Sequence, residues 1–177
     1  MEEQKFIISL IALGVSVLAI VIPLWVSIYQ SKKRYKWDKA IMAYKIGEIW
    51  TTETKDHRKV IEKNYGSYLI PYKEMVVPTA EDYEGAKPGT ELYDINLAVS
   101  SLMNYFENVA VLYMQGVVDK KIIDNTMKKA IIQYHEKIKP LALLSEKVAG
   151  YPLWASLDEL IEKWANEEKP KTKNIIS

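Results

Sequence analysis

Residues 90–116 read T-E-L-Y-D-I-N-L-A-V-S-S-L-M-N-Y-F-E-N-V-A-V-L-Y-M-Q-G. Within them Ile95, Val99, Leu102, Phe106, Val109 and Tyr113 recur at spacings of 4-3-4-3-4. That period places all six on one stripe of an α-helix. Thr90 offers a side-chain oxygen to the orphan amides at its start, and Gly116 supplies a stop. Alternating period-two patterns are scarce in the rest of the chain, so strands are not expected. The fold class is therefore all-α, a helical bundle built around this segment.

Moving outward toward the C-terminus, Asp119 is an N-cap candidate for a helix to Lys139, with Ile123, Met127, Ile131, Tyr134 and Ile138 as its stripe. Pro140 is expected to break it and Leu141–Ala149 to form a short helix ended by Gly150. Residues 152–168 give the last helix, with Trp154, Leu157, Ile161 and Trp164 inward. Residues 169–177 read as a polar, disordered tail.

Toward the N-terminus, residues 67–89 hold Pro71, Pro78, Pro88, Gly85 and Gly89 and several acids, which predicts a long loop. Before it, Thr51-Thr52-Glu53 reads as a helix stop and restart. The restarted helix runs to Tyr65, with His57, Val60, Ile61 and Tyr65 inward and Gly66 ending it. The helix preceding it carries Trp37, Ile41 and Tyr44 on one side and Met42, Ile46, Ile49 and Trp50 on another, which predicts packing on both sides.

Phe6 to Tyr29 reads F-I-I-S-L-I-A-L-G-V-S-V-L-A-I-V-I-P-L-W-V-S-I-Y, 24 residues without a charge. As a helix rising ~1.5 Å per residue it would span roughly 36 Å, enough to cross a hydrocarbon core of ~30 Å with some tilt. Lipid offers backbone groups no partner, which demands the helical form. Pro23 predicts a kink, and Trp25 and Tyr29 suit the interface. A cleaved signal peptide would need a basic start, a shorter apolar run and a small-residue cleavage site, all absent here. After the apolar run, Lys32, Lys33, Arg34, Lys36, Lys39 and Lys45 face a lone Asp38. Basic flanks stay in the cytoplasm. The expected topology places residues 1–5 outside, a transmembrane helix at 6–29 in the inner (cell) membrane and a cytoplasmic helical domain at 30–168. The basic cluster sets orientation and also suits anionic headgroups. Ser9, Ala12, Ser16 and Ala19 line one helix face with small side chains, a pattern that favours homo-oligomeric contact in the bilayer.

Composition removes several classes of function. The 177 residues carry a net charge of +1, so no global field points to nucleic acid. There is no cysteine, which excludes disulfides, thiolate metal sites and a cysteine nucleophile. His57 and His135 are the only histidines, each on a predicted helix where packing is the ordinary role. No phosphate loop, nucleophile elbow or paired-acid motif occurs, and no cofactor or metal is expected.

The most specific polar cluster is Asn104, Glu107 and Asn108, within about one helical turn. Asparagine is a mediocre helix former, so two at i,i+4 suggest a task beyond propensity. One reading is a solvated face or buried hydrogen bonds to another helix. The other is a ligand face. The structural reading pairs Glu107 with Arg58, tying the second helix to the central one. The run Asn104-Tyr-Phe-Glu-Asn-Val-Ala-Val111, then Gly116-Val-Val-Asp119, Tyr134 and Lys139-Pro140, resembles an uncharacterised prokaryotic family. Trp50, Thr51-Thr52-Glu53 and Arg58 extend the resemblance, which spans about residues 5–165. It implies a small single-span membrane protein carrying a domain of unknown function. It implies no activity or substrate. The functional expectation is a membrane-anchored helical interaction module holding a protein partner, or a second copy of itself, at the inner membrane surface. The alternative is an oligomerising effector that perturbs the bilayer, as in phage defence. An enzyme using Glu107 has weak support, since one carboxylate without a partner base is little to catalyse with.

Overall fold

A computed structural model of the protein describes residues 2–66 and 77–168, with side chains for residues 19–66 and 77–167. The described residues form helices joined by turns: α1 (Glu2–Thr52), α2 (Lys55–Tyr65), α3 (Ala80–Glu84), α4 (Glu91–Met114), α5 (Lys120–Thr126), α6 (Lys128–Ala149) and α7 (Ala155–Glu168). No strand occurs among them, so the all-α expectation holds. The chain divides into two units, Met1–Ile41 and Met42–Ser177.

The first unit is helical throughout its described length, and Pro23 lies within α1 without ending it. Among the described residues no helix is long and apolar enough to cross a membrane. The side chains of residues 6–18, the first part of the apolar run, lie outside those described, as do Ser9, Ala12 and Ser16 of the small-residue face. Trp25 and Tyr29 are exposed and stack at 6.0 Å between ring centroids.

The second unit is organised by α4, which packs against α2, α6 and α7 and touches α3. The hydroxyl of Thr90 accepts from the Tyr93 amide at 3.3 Å, as expected of the cap. At the other end the Gly116 amide bonds the Tyr113 carbonyl and the Val117 amide bonds the Leu112 carbonyl. These crossed bonds form a Schellman motif, which needs the left-handed φ of +68° that Gly116 supplies. The six stripe residues are all buried, and Ala98, Met103 and Ala110 widen the buried face. A stripe this broad serves three neighbours at once.

Three local expectations fail for identifiable reasons. The stop and restart occur, with α1 ending at Thr52 and α2 beginning at Lys55, but no threonine there caps α2. The hydroxyls of Thr51, Thr52 and Thr54 donate backward to the carbonyls of Glu48, Glu48 and Trp50 at 2.9, 2.8 and 2.7 Å. Back-bonding of this kind competes with capping. Pro140 does not break α6. A proline inside a helix costs ~3 kcal/mol. Ile138 and Leu141 on either side are fully buried, at ~1.5–3 kcal/mol each. A break would rotate Leu141 off the stripe, so continuing is cheaper. The helix is interrupted instead at Met127, with φ −120°, between α5 and α6. Finally, the predicted second packed side of α1 is open: Tyr44, Trp37 and Ile41 are exposed, while Ala43 and Ile46 are buried.

Of the predicted loop, residues 67–76 lie outside the described part, as does the tail 169–177. The remainder holds α3, capped by Thr79, whose hydroxyl accepts from the Asp82 amide at 3.1 Å. Its Tyr83 is buried, with its hydroxyl 2.8 Å from the Ser145 hydroxyl and its carbonyl accepting from Asn96 at 2.9 Å. This segment is thereby pinned to α4 and α6.

Candidate functional site

The cluster singled out on α4 divides between two tasks. Glu107 reaches the start of α7, where one carboxylate oxygen accepts from the Ser156 amide at 3.2 Å and the other from the Leu157 amide at 2.8 Å. The first amides of a helix have no partner within it. The residue preceding α7 is Trp154, whose indole has no acceptor to give them. A carboxylate from another helix therefore fills the cap, and its charge suits the positive helix end. Asn104 completes the arrangement by accepting from the Trp154 indole N–H at 2.9 Å.

The α6 side of the same helix start is also polar. Glu146 accepts from the Leu153 amide at 2.9 Å. His135 Nε2 lies 3.1 Å from Asp158, which Lys139 also approaches at 3.4 Å. His135 is only 4% exposed. Burial pushes its pKa below the ordinary 6.5, and the Asp158 charge works against that shift. A neutral imidazole donating to Asp158 fits this environment.

The expected pair between Glu107 and Arg58 does not form. Both Glu107 oxygens serve α7, and the Arg58 guanidinium lies over the Trp50 ring at 4.4 Å from its centroid. Trp50 in turn stacks on Tyr105, packs tilted against Phe106 and meets Tyr134 edge-on at 5.4 Å. Arg58 thus ties α2 to the end of α1 by cation–π attraction, and its buried Nε lacks a hydrogen-bond partner. Tyr105 adds a hydrogen bond to the Ile46 carbonyl at 2.8 Å. Burial raises the Tyr105 pKa, opposed by the Arg58 charge.

Asn108 has a different setting. Its side chain is exposed and makes no hydrogen bond to another described residue. With Asn104, Ser101 and Leu112 of α4 and Ile46, Ile49 and Glu53 from the end of α1, it lines an open cleft of about 450 Å³. Tyr105 and Val109 form part of the floor. The cleft combines apolar walls with an unspent amide and one carboxylate, Glu53. It offers recognition chemistry, namely hydrogen-bond donors and acceptors over apolar surface. No nucleophile with a partner base lines it. Among the described residues no three histidine or acidic side chains gather as a cation site would require.

Several polar anchors give no sequence signal. Lys137 is 4% exposed and donates to the Gly66 carbonyl; burial lowers its pKa, and the Glu62 charge opposes that. Glu62 accepts from the Tyr134 hydroxyl. Asp124 accepts from the Tyr113 hydroxyl at 3.0 Å and the Trp164 indole at 3.1 Å, joining α4, α5 and α7. Apart from Tyr113 and Asp124, these partners lie 40 or more residues apart, and periodicity carries no information on such pairs.

The basic cluster occupies the first unit. Lys32, Lys33, Arg34 and Lys36 are exposed, and Lys39 is half-buried with its ammonium 4.2 Å from the Tyr35 ring centroid. No curated protein and no solved structure matches the chain. Residues 6–164 match the family described as a domain of unknown function, DUF4760, and the chain belongs to that family.

Proposed function

We propose that this protein is a membrane-anchored helical interaction module of a prokaryotic cell membrane. One N-terminal helix crosses the bilayer with its N-terminus outside, and the helical domain on the cytoplasmic side holds a protein partner. The observation that carries the recognition role is the cleft over α4. Glu107 and the carbonyl oxygen of Asn104 are spent on the start of α7, whereas Asn108 and the walls around it are open. The anchor rests on the uncharged run of residues 6–29, and the orientation on the basic flank that follows it. Exposed Trp25 and Tyr29 suit the headgroup boundary, where an amphipathic ring meets both phases.

The absence of cysteine makes topology simple to test. Single-cysteine variants Glu3→Cys and Glu159→Cys are treated with a membrane-impermeant maleimide. Labelling of Glu3→Cys in intact cells, and of Glu159→Cys only after lysis, is the expected pattern. Release of the protein by alkaline carbonate would end the anchor reading. For the cleft, a photo-crosslinking residue at Asn108 should trap a partner in membranes, and one at exposed Glu162 should not. An adduct of two copies of the chain would move the reading to the alternative, a self-associating membrane effector.

A further inference from the structure

We infer that Lys32, Lys33, Arg34 and Lys36 form a collar that binds anionic phospholipid headgroups, so that the protein selects its surrounding lipid as well as its orientation. This rests on the proposed membrane anchor. Three observations point to it. First, the collar has the height of a headgroup layer. On α1, Lys32 to Lys36 rises about 6 Å at ~1.5 Å per residue. One leaflet's headgroup region is about 5–8 Å thick, half the difference between ~40–45 Å overall and a ~30 Å core.

Second, the cations fan around more than half of the helix, an arc of roughly 200°. Successive residues are turned by ~100°, so Lys32, Lys33 and Arg34 point three different ways, with Lys36 one turn beyond Lys32. Setting orientation requires only an excess of basic residues within ~15–20 residues of the span. It does not require them to fan around more than half of the helix within one layer.

Third, the charge is uncompensated. Lys32 and Lys36 are like charges at i,i+4, an arrangement that destabilises a helix in isolation. Among the described residues no ion pair joins Lys32, Lys33, Arg34 or Lys36 to an acid, although Asp38 follows close by. A phosphate or phosphoglycerol headgroup between such ammonium groups relieves the repulsion. Exposed Tyr35 and Trp37, the latter at 62%, supply amphipathic rings at the same level.

The test uses the full chain in bilayers of phosphatidylcholine doped with spin-labelled lipid. The motionally restricted fraction of labelled phosphatidylglycerol is compared with that of labelled phosphatidylcholine. The expected result is a preference for the anionic lipid of about fivefold, the value of one basic residue at an anionic surface. The preference should collapse in the Lys32→Gln, Lys33→Gln, Arg34→Gln, Lys36→Gln variant and in wild type at high salt. It should persist in Lys120→Gln, Lys121→Gln. Equal restriction of both lipids overturns the collar while leaving the anchor intact. Absence of any restricted component overturns both.

Discussion

Two sides of the central helix use similar residues to opposite ends. Toward α7, Glu107 and the carbonyl oxygen of Asn104 are consumed by the start of a neighbouring helix, although Asn104 also borders the cleft. Toward the end of α1, Asn108 faces an open cleft with Ile49 and Leu112. Asn104 and Asn108 are the same residue type one turn apart. What separates them is whether an unsatisfied donor lies opposite. The α7 start presents two backbone amides and an indole N–H, and the α1 end presents apolar side chains and a carboxylate. A polar side chain on a helix is thus a structural or an exposed group according to its neighbour's needs.

The contrast is broken most severely at Trp154, which is 3% exposed and bonded to Asn104. Trp154→Ala should cost ~3–5 kcal/mol, the usual price of removing a buried large aromatic. Leu112→Ala on the cleft side should cost much less, because Leu112 is only half-buried. Urea unfolding of the full chain in detergent measures both. Equal losses would show that the two sides are equally structural.

Glu107 sharpens the comparison further. Glu107→Ala leaves the Ser156 and Leu157 amides without acceptors, at ~1–3 kcal/mol for an unsatisfied buried group. Glu107→Gln keeps one oxygen and should lose about half as much. A wild-type melting temperature for Glu107→Ala would sink the inter-helix cap.

These fates were unequally legible in the sequence. The extent of α4 was readable because stripe, cap and stop are all local: Ile95 to Tyr113, Thr90 and Gly116 need no distant partner. The asparagines and Glu107 were visible as anomalies, but the Glu107 partners are main-chain amides 49 and 50 residues away. A residue type cannot advertise such a partner. One signal did exist: Tyr151-Pro152-Leu153-Trp154 offers α7 no N-cap acceptor, so something else had to provide it. Pro140 misled for the reverse reason. A local rule was outweighed by the burial of Ile138 and Leu141, which only the tertiary arrangement reveals. The cleft was invisible because it is defined by a gap between α1 and α4, and sequence patterns report contacts.

On the α6 side of the same helix start, His135 gives the seam a pH dependence. Burial holds its folded pKa below the ordinary 6.5, so the unfolded chain binds the proton more readily. Its stabilising contribution is full above about pH 6.5. It is lost as pH falls from there toward the lower folded value, because protonation then favours the unfolded state. Denaturant titrations across that window should show stability falling with acidification in wild type and less steeply in His135→Gln. Asp158 and Lys139, which face the imidazole, are present in both proteins, so the difference isolates the histidine. Identical slopes would remove the effect.

The smallest expected effect is the most informative about function. Asn108→Ala should change stability by no more than ~0.5 kcal/mol, as for a surface position that bonds to nothing else in the fold. If the cleft holds a partner, the same substitution should still weaken capture at Ile49 by a photo-crosslinker placed there, because the Asn108 amide is an unspent hydrogen-bonding group of the cleft. Loss of stability comparable to Glu107→Ala would place Asn108 in the seam and dissolve the distinction between the two sides. Unchanged stability with unchanged capture would leave the apolar walls, Ile46, Ile49 and Leu112, as the whole of the recognition surface. A partner read by hydrogen bonding leaves the opposite signature, a neutral fold and a lost contact, and no residue of the α7 seam is able to produce it.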